Sequence, residues 1–162
     1  MAFPDSSYGR IAKCKAVVTE QTGAANVVTL YILSYGTSGI MAASEALKSA
    51  LKKYIEEYAM LTTWIEVADG STSDTEIAGT VQMYSGFREE DVKPKVEAAL
   101  SALFDPEIRE MGQTMRISDI YGALEAVSGV DFIELTTPTA SITAEESQLL
   151  TLGAVNLSYL MA

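Results

Sequence analysis

The chain has 162 residues, of which 48% are hydrophobic and 20% charged, a composition typical of a globular chain with a core and unlike that of a disordered one. Its formal net charge is −11, from 11 basic and 22 acidic residues, and this excess of carboxylates repels phosphate backbones and anionic membrane surfaces. Nucleic acid and membranes are therefore disfavoured as partners, and the acidic surface serves either solubility or a basic protein partner.

Residues 11–19 and 26–34 are rich in β-branched side chains and predict two strands joined by a glycine-bearing turn, which makes a β-hairpin. Over residues 41–59, apolar side chains recur every three or four positions while lysines and glutamates occupy the other face. This periodicity predicts an amphipathic helix. Residues 62–68 then predict a third strand.

The polar run DGSTSDTE, at residues 69–76, separates the two halves of the chain. Its first residues predict a flexible turn cluster, which places a boundary between two predicted domains at residues 1–70 and 75–162. The run lacks the twelve-residue spacing and the closing glutamate of an EF-hand. We therefore predict a solvated linker here, and no calcium site.

The second half predicts a helix at residues 91–103 and a shorter helix that begins at the N-cap Ser118 and ends before the C-cap Gly129. Strands are predicted at 75–84, 114–117, 130–135 and 154–160. Each half thus combines a helix with strands. The predicted fold class is α+β, with two consecutive units, each a helix packed on a small mixed or antiparallel sheet, and a C-terminal β-strand.

Residues able to carry chemistry are few. The chain has no histidine, which removes the commonest general base and metal ligand. Its single cysteine, Cys14, allows neither an intrachain disulfide nor a zinc site built on thiolates. Cys14 lies in the alternating stretch AKCKAVV, which predicts a small side chain buried on a strand.

Acidic residues occur in groups, but these groups lie on predicted helix faces, at helix starts or in loops, where carboxylates favour solubility and the helix dipole. Their spacing indicates no shared site. The groups are Glu56 with Glu57, Glu89 with Glu90 and Asp91, Asp119 with Glu125, and Glu145 with Glu146. We therefore predict no enzyme activity, no catalytic residue, no cofactor and no metal.

Aromatic residues are the remaining candidates for a functional surface. Trp64 and most of the eight tyrosines alternate within predicted strands or lie on apolar helix faces, which predicts placement in the core. Tyr8, Tyr35 and Tyr159 lie near the ends of predicted elements. Together with Leu157 of the final strand, they are the predicted partner contacts.

Four sequence motifs follow one another along the chain. They are a helix followed by a strand, a strand followed by a helix that ends at Asp-Pro, a segment from Gly-strand-Ser-Asp-Ile to a Thr-Pro loop, and a terminal strand. They occupy 47–67, 79–107, 112–142 and 152–160. Their order resembles that of baseplate J-like proteins of contractile phage tails. Family members are usually about twice this length or more, so the resemblance implies either the C-terminal portion of such a protein or a short form of it.

The resemblance implies a structural protein without catalytic residues. We expect a component of the tail baseplate of a contractile phage or phage-like injection system, forming the wedge ring around the hub and holding the sheath-firing machinery. Its expected partners are other copies of itself and neighbouring wedge, hub and sheath-initiator proteins. Its expected location is the virion, after assembly in the host bacterial cytoplasm. The alternative is a non-catalytic adaptor or binding module of a tail or secreted assembly.

Overall fold

The structure, a computed structural model, describes residues 8–19, 26–37, 39–59 and 63–161. The chain divides into two units. Unit 1 comprises residues 1–72 together with 145–148, and unit 2 comprises residues 73–144 together with 149–162. Each unit combines helix and sheet around apolar residues of its own.

Unit 1 is a helix packed on a four-stranded mixed sheet. Its elements are β1 (Ile11–Thr19), β2 (Asn26–Gly36), β3 (Gly39–Ala42), α1 (Glu45–Glu56) and β4 (Thr63–Asp69). The central strand is β2, which pairs antiparallel with β1 along one side. Its other side pairs antiparallel with β3 and parallel with β4. The parallel pair requires a crossover connection, which α1 supplies.

The predicted antiparallel pairing of β1 and β2 is confirmed, and the predicted glycine-bearing turn between them lies outside the described residues. The predicted helix over 41–59 is too long at both ends. Its first residues belong to β3, and the Ser34 hydroxyl fixes them by donating to the Ala42 carbonyl at 3.2 Å. The helix begins after Ser44, whose side-chain oxygen accepts a hydrogen bond from the Leu47 N–H at 3.2 Å. The sequence conceals β3 because Ile40 continues the apolar periodicity of the helix.

The apolar stripe of α1 faces the sheet, and the small core of unit 1 is formed by Ile32, Ala43, Leu47 and Leu51. Each buried leucine contributes roughly 1.5–3 kcal/mol relative to an exposed one. The ammonium of Lys48 lies 2.9 Å from the Asp69 carboxylate and 2.6 Å from that of Glu45, so it joins α1 to β4. Hydrogen bonds to Glu45 and Asp69 raise the pKa of Lys48.

The predicted burial of Cys14 is wrong. Its side chain is exposed on β1, as are those of Ala16 and Val18 at the alternate positions after it. Cys14 lies directly opposite Ile32 and Ala16 directly opposite Leu30 in the β1–β2 pair. Since directly opposite residues of paired strands share a face, the three residues lie on the sheet face that carries Leu30 and Ile32. The helix packs against β4, so its apolar stripe covers the part of this face away from β1.

Unit 2 is built on a three-stranded sheet and two packed helices. Its elements are β5 (Ser71–Met83), α2 (Glu89–Leu103), α3 (Ile117–Glu125), β6 (Val130–Thr137) and β7 (Gln148–Met161). The first two residues of β5 and the first residue of β7, Gln148, are counted in unit 1. The strand order is β6-β5-β7, and β5 pairs antiparallel with β6.

The core of unit 2 is larger than that of unit 1, because both helices and all three strands contribute to it. Apolar side chains at a spacing of four residues line α2 and α3, and alternate side chains line the strands. The fully buried members are Ile77, Val81, Val92, Val96, Leu100, Met115, Ile120 and Leu124. This larger buried area gives unit 2 the greater hydrophobic stabilisation.

The predicted solvated linker over 69–76 is wrong, because β5 begins at Ser71 and runs through it. Two of its acidic side chains are acceptors in unit 2: Asp74 accepts from the Thr151 hydroxyl at 2.7 Å, and Glu76 accepts from the Asn156 amide at 2.8 Å. Their partners are 77 and 80 residues away in the sequence. A local pattern of polar residues cannot reveal such partners.

The predicted strand over 114–117 is reduced to one bridge, in which Met115 and Ile142 exchange two backbone hydrogen bonds of 2.8 Å. The helix α3 then begins at Ile117, so the prediction of Ser118 as its N-cap is wrong. The distant Ser141 hydroxyl accepts from the Ile117 N–H at 3.2 Å. Gly129 has the expected left-handed backbone, with φ +103°, but it lies beyond the C-cap and directly before β6.

These corrections move element boundaries and leave the architecture as predicted. The structure is α+β, with a helix-covered small sheet in each unit and a long final strand, β7. The predicted fold class is therefore confirmed.

Candidate interaction surface

The acidic groups identified in the sequence are all exposed on helix ends, helix faces or loops. Carboxylates in such positions remain hydrated and favour neither a general base nor a metal. Within the described ranges, no group of three or more His, Cys, Asp or Glu side chains is placed to hold a metal ion. An open hollow of about 470 Å³ at the start of α2 is lined by exposed charged side chains, Arg88, Glu89, Glu90 and Lys93.

The strand β7 brings two of the predicted contact residues together. Leu157 and Tyr159 lie two positions apart, so they share one face of the strand, and Val155 precedes them on that face. All three are half-buried and pack against the core of unit 2. We call these three residues the β7 stripe.

The phenol of Tyr159 has an unusual electrostatic environment. Burial, together with the negative charges of Glu97 and Glu89 on α2, raises the pKa of Tyr159 to about 12. Both effects oppose ionisation, because the phenolate loses hydration in a half-buried site and is repelled by the carboxylates. The β7 stripe therefore ends beside two acidic side chains of α2.

The strand β7 has an apolar and uncharged sequence. Its 14 residues, QLLTLGAVNLSYLM, include neither a charged residue nor a proline. Leu160 and Met161 at its end are 51% and 68% exposed. One side of β7 pairs with β5, and in the part of the chain that the structure describes no strand pairs with the other side. Edge strands usually carry charges, prolines or a covering element that prevent further pairing.

The opposite edge of the same sheet is arranged differently. On β6, the backbone N–H of Leu135 donates to the Tyr121 hydroxyl of α3 at 3.3 Å. Exposed carboxylates of Asp131 and Glu134 also lie along β6. A covering side chain and charges are the features that prevent strand addition. Only one edge of this sheet, that of β7, therefore lacks such protection among the described residues.

The other two predicted contact residues lie in unit 1. Tyr8 is 43% exposed. Tyr35 is half-buried on β2, and its N–H donates to the Arg10 carbonyl at 2.9 Å. The Arg10 guanidinium lies 4.8 Å from the centre of the Tyr35 ring, which is a cation–π distance. Tyr35 is therefore already engaged within unit 1, whereas Tyr8 offers more of its surface.

Trp64 is also exposed, so its predicted core placement is wrong. The neighbouring Ile65 is buried at 7%, and Trp64, 70% exposed, therefore points to the opposite face of β4. Glu66 is exposed as well. The sequence carried a signal for this orientation, because buried Ile65 and half-buried Val67 alternate with Trp64 and the charged Glu66.

Three further aromatic rings are exposed around the start of β6 and the turn between β5 and α2: Tyr84, Phe87 and Phe132 are 51%, 38% and 49% exposed. Phe132 lies opposite Gln82 and shares the exposed face of β6 with Glu134, and the register irregularity after Gln82 returns Val130 to the buried face. A hydrogen bond to Asp131 raises the pKa of Tyr84. The alternation of Phe132 and the charged Glu134 with the buried Ile133 is the sequence signal that could have identified this exposed ring.

A comparison with protein families decides which kind of protein has this architecture. Residues 75–158, just over half of the chain, match the model described as baseplate J-like protein C-terminal domain. The chain belongs to the baseplate J-like family. The matched range begins within β5, covers α2, α3 and β6, and ends in β7 one residue before Tyr159. A comparison with curated proteins finds no match.

Membership of the baseplate J-like family confirms the resemblance found in the sequence, although the motif at 47–67 lies outside the matched range. The chain is thus a structural protein of the phage tail baseplate, where it associates with other baseplate proteins. No helix among the described residues is long and apolar enough to cross a membrane.

Proposed function

We propose that this baseplate J-like chain forms part of the wedge ring around the hub of a contractile phage tail or phage-like injection system, and that the ring holds the sheath-firing machinery. The match of unit 2 to the family's C-terminal domain is the observation that carries the proposal. Packed α+β units with a distinct core are rigid modules suited to a symmetric ring, in which every interface repeats.

The partners in this proposal are other copies of the chain and neighbouring wedge, hub and sheath-initiator proteins, assembled in the host cytoplasm. The predicted domains 1–70 and 75–162 would each present contacts, Tyr8 and Tyr35 from the first, Leu157 and Tyr159 from the second. Aromatic side chains supply large contact areas at low entropic cost. The net charge of −11 supports protein partners over nucleic acid and membrane surfaces.

Electron microscopy of the native particle tests the location. We expect density for both units in a ring around the hub, repeated by the symmetry of the baseplate. A baseplate without density for this chain would overturn the proposal. Density at one isolated position outside the ring would instead assign the chain to the alternative class of adaptor modules.

A complementation assay tests the contact residues. Tyr159→Ala is expected to reduce the yield of particles with complete baseplates at least tenfold, because it removes a ring from the β7 stripe. Tyr58→Ala is the matched control, since Tyr58 is a 64% exposed tyrosine outside the proposed contacts. Urea unfolding of both purified variants separates an assembly defect from a folding defect. Equal particle yields for the two variants would remove Tyr159 from the interface.

A further inference from the structure

The open edge of β7 is the feature of unit 2 that its own packing does not explain. A strand edge presents a row of backbone N–H and C=O groups that are available for pairing. Natural edges are usually short, charged, interrupted by proline or covered, whereas β7 has 14 residues without charge or proline. The covering hydrogen bond from Leu135 to Tyr121 at the opposite edge shows that the fold protects one edge only among the described residues.

The side chains of β7 divide this edge into two faces. On one face, the half-buried Val155, Leu157 and Tyr159 form the β7 stripe, which leaves part of each apolar side chain accessible. On the other face, Ala154 and Ser158 are exposed. An added strand with apolar residues at alternate positions would extend the stripe, because directly opposite residues of paired strands share a face.

The charges near the stripe distinguish between possible occupants. Glu89 and Glu97 of α2 are close enough to Tyr159 to act on it electrostatically, and Lys93 stands between them on the helix. The whole chain has a formal net charge of −11, so a second copy would bring the same excess of negative charge to the edge. A segment with lysine or arginine among its apolar residues is electrostatically complementary to this surface.

We propose that the open edge of β7 binds an extended basic segment of a different protein by strand addition, with the segment's apolar side chains against the β7 stripe and its cationic side chains beside Glu89 and Glu97. Strand addition gives affinity through main-chain hydrogen bonds and specificity through alternate side chains. The assignment of this segment to another baseplate protein rests on the proposed function. The binding mode rests on β7 itself.

The probe is a fluorescently labelled, acetylated octapeptide of alternating lysine and valine, titrated against the full chain with polarisation as the readout. We expect saturable binding together with slower amide hydrogen exchange in residues 154–161 and unchanged exchange in β6. A matched peptide with glutamate in place of lysine is expected to bind at least tenfold more weakly. Equal binding of the two peptides, or protection outside β7, would overturn the proposal.

Two lysine substitutions locate the edge without altering the core. Ser158→Lys places a charge on an exposed position of β7 and is expected to weaken binding of the lysine–valine peptide at least tenfold. Thr136→Lys places the same charge on an exposed position of β6 and is expected to leave binding unchanged. Equal effects of the two substitutions would contradict binding at β7.

Sedimentation of the chain alone, over a range of concentrations, tests whether a second copy of the chain binds the β7 edge. A concentration-dependent dimer that Ser158→Lys abolishes would assign the edge to a second copy and overturn the proposal. These measurements use the isolated chain, so their failure leaves the baseplate location untouched. Conversely, a particle that lacks the chain would remove the wedge assignment and leave peptide binding intact.

Discussion

The hydroxyl of Tyr121 on α3 accepts a hydrogen bond from the backbone N–H of Leu135 on β6, with the two heavy atoms 3.3 Å apart. A helix side chain thereby accepts a hydrogen bond from a backbone N–H group at the edge of the sheet. It makes the two edges of the sheet in unit 2 chemically different, because β7 has no such cover among the described residues. The Tyr121–Leu135 contact therefore leaves β7 as the edge for the strand addition proposed above.

Replacing Tyr121 tests that contact. Tyr121→Phe removes the acceptor and leaves the Leu135 N–H without its partner in a half-buried place, which is expected to lower the free energy of unfolding by about 1–2 kcal/mol. Tyr84→Phe is the matched control, since its hydroxyl bonds Asp131 at an exposed site, and it is expected to leave stability nearly unchanged. Urea unfolding measures both, and equal losses would contradict a special role for Tyr121.

Gly129 offers a second test, on the junction between α3 and β6. Its φ is +103°, and a Cβ there would lie 2.7 Å from a ring carbon of Phe87 and 2.9 Å from a methyl of Val92. Gly129→Ala therefore combines backbone strain with overpacking of the core and is expected to cost about 2–4 kcal/mol. Gly86→Ala meets no atom within 4 Å at φ +99°, so it isolates the backbone strain, at about 1–2 kcal/mol.

Thermal unfolding of the two glycine variants separates the contributions. The difference between them reports the crowding by Phe87 and Val92. If Gly86→Ala proves as destabilising as Gly129→Ala, backbone strain alone accounts for both and the packing argument is wrong.

Much of the fold was predictable because its strands and helices carry strong local patterns. The strand β1 has the predicted bounds, and the apolar positions of α2 at Val92, Val96 and Leu100 follow the helical period into the core. Gly129 was recognised from the backbone conformation that only glycine adopts readily. In each case the deciding interaction lies within a few residues of the pattern.

The remaining features depend on partners far away in the sequence. The polar run that begins β5 is a strand because Asp74 and Glu76 meet side chains of β7. Cys14 is exposed because α1 packs elsewhere on the sheet. Of the four predicted contacts, Leu157 and Tyr159 share one face of β7, whereas the importance of the open edge depends on Tyr121, which the sequence did not single out.

Trp64 gives a direct optical test of the sheet face in unit 1. It is the only tryptophan of the chain and is 70% exposed, so fluorescence excited selectively in tryptophan rather than in the eight tyrosines reports its environment alone. We expect an emission maximum close to that of tryptophan in water, quenching by iodide, and little shift on unfolding in urea. A blue-shifted emission resistant to iodide would show that the residue is covered, either within the chain or by self-association, and dilution distinguishes these two cases.

The ionisation of Tyr159, in the β7 stripe, is expected to make the stability of the fold depend on pH. The folded-state pKa of Tyr159 is about 12, above the 10.0 of an unperturbed tyrosine, so the folded chain holds this proton more tightly than the unfolded chain does. The resulting stabilisation is fully present below pH 10 and is lost as pH rises from about 10 to about 12. Its size is on the order of 2 kcal/mol at most, because solvent screens the charges around this half-buried phenol.

The measurement compares urea unfolding of the wild type and Tyr159→Phe across this pH range. The variant removes the ionisable group while keeping the ring, so its stability is expected to fall less steeply above pH 10. Absorbance titration supplies the matching signature: the wild type shows a late phenolate step that Tyr159→Phe lacks. Parallel stability curves would mean that neither burial nor the charges of Glu97 and Glu89 act on this phenol, and would separate the acidic side chains of α2 from the β7 stripe.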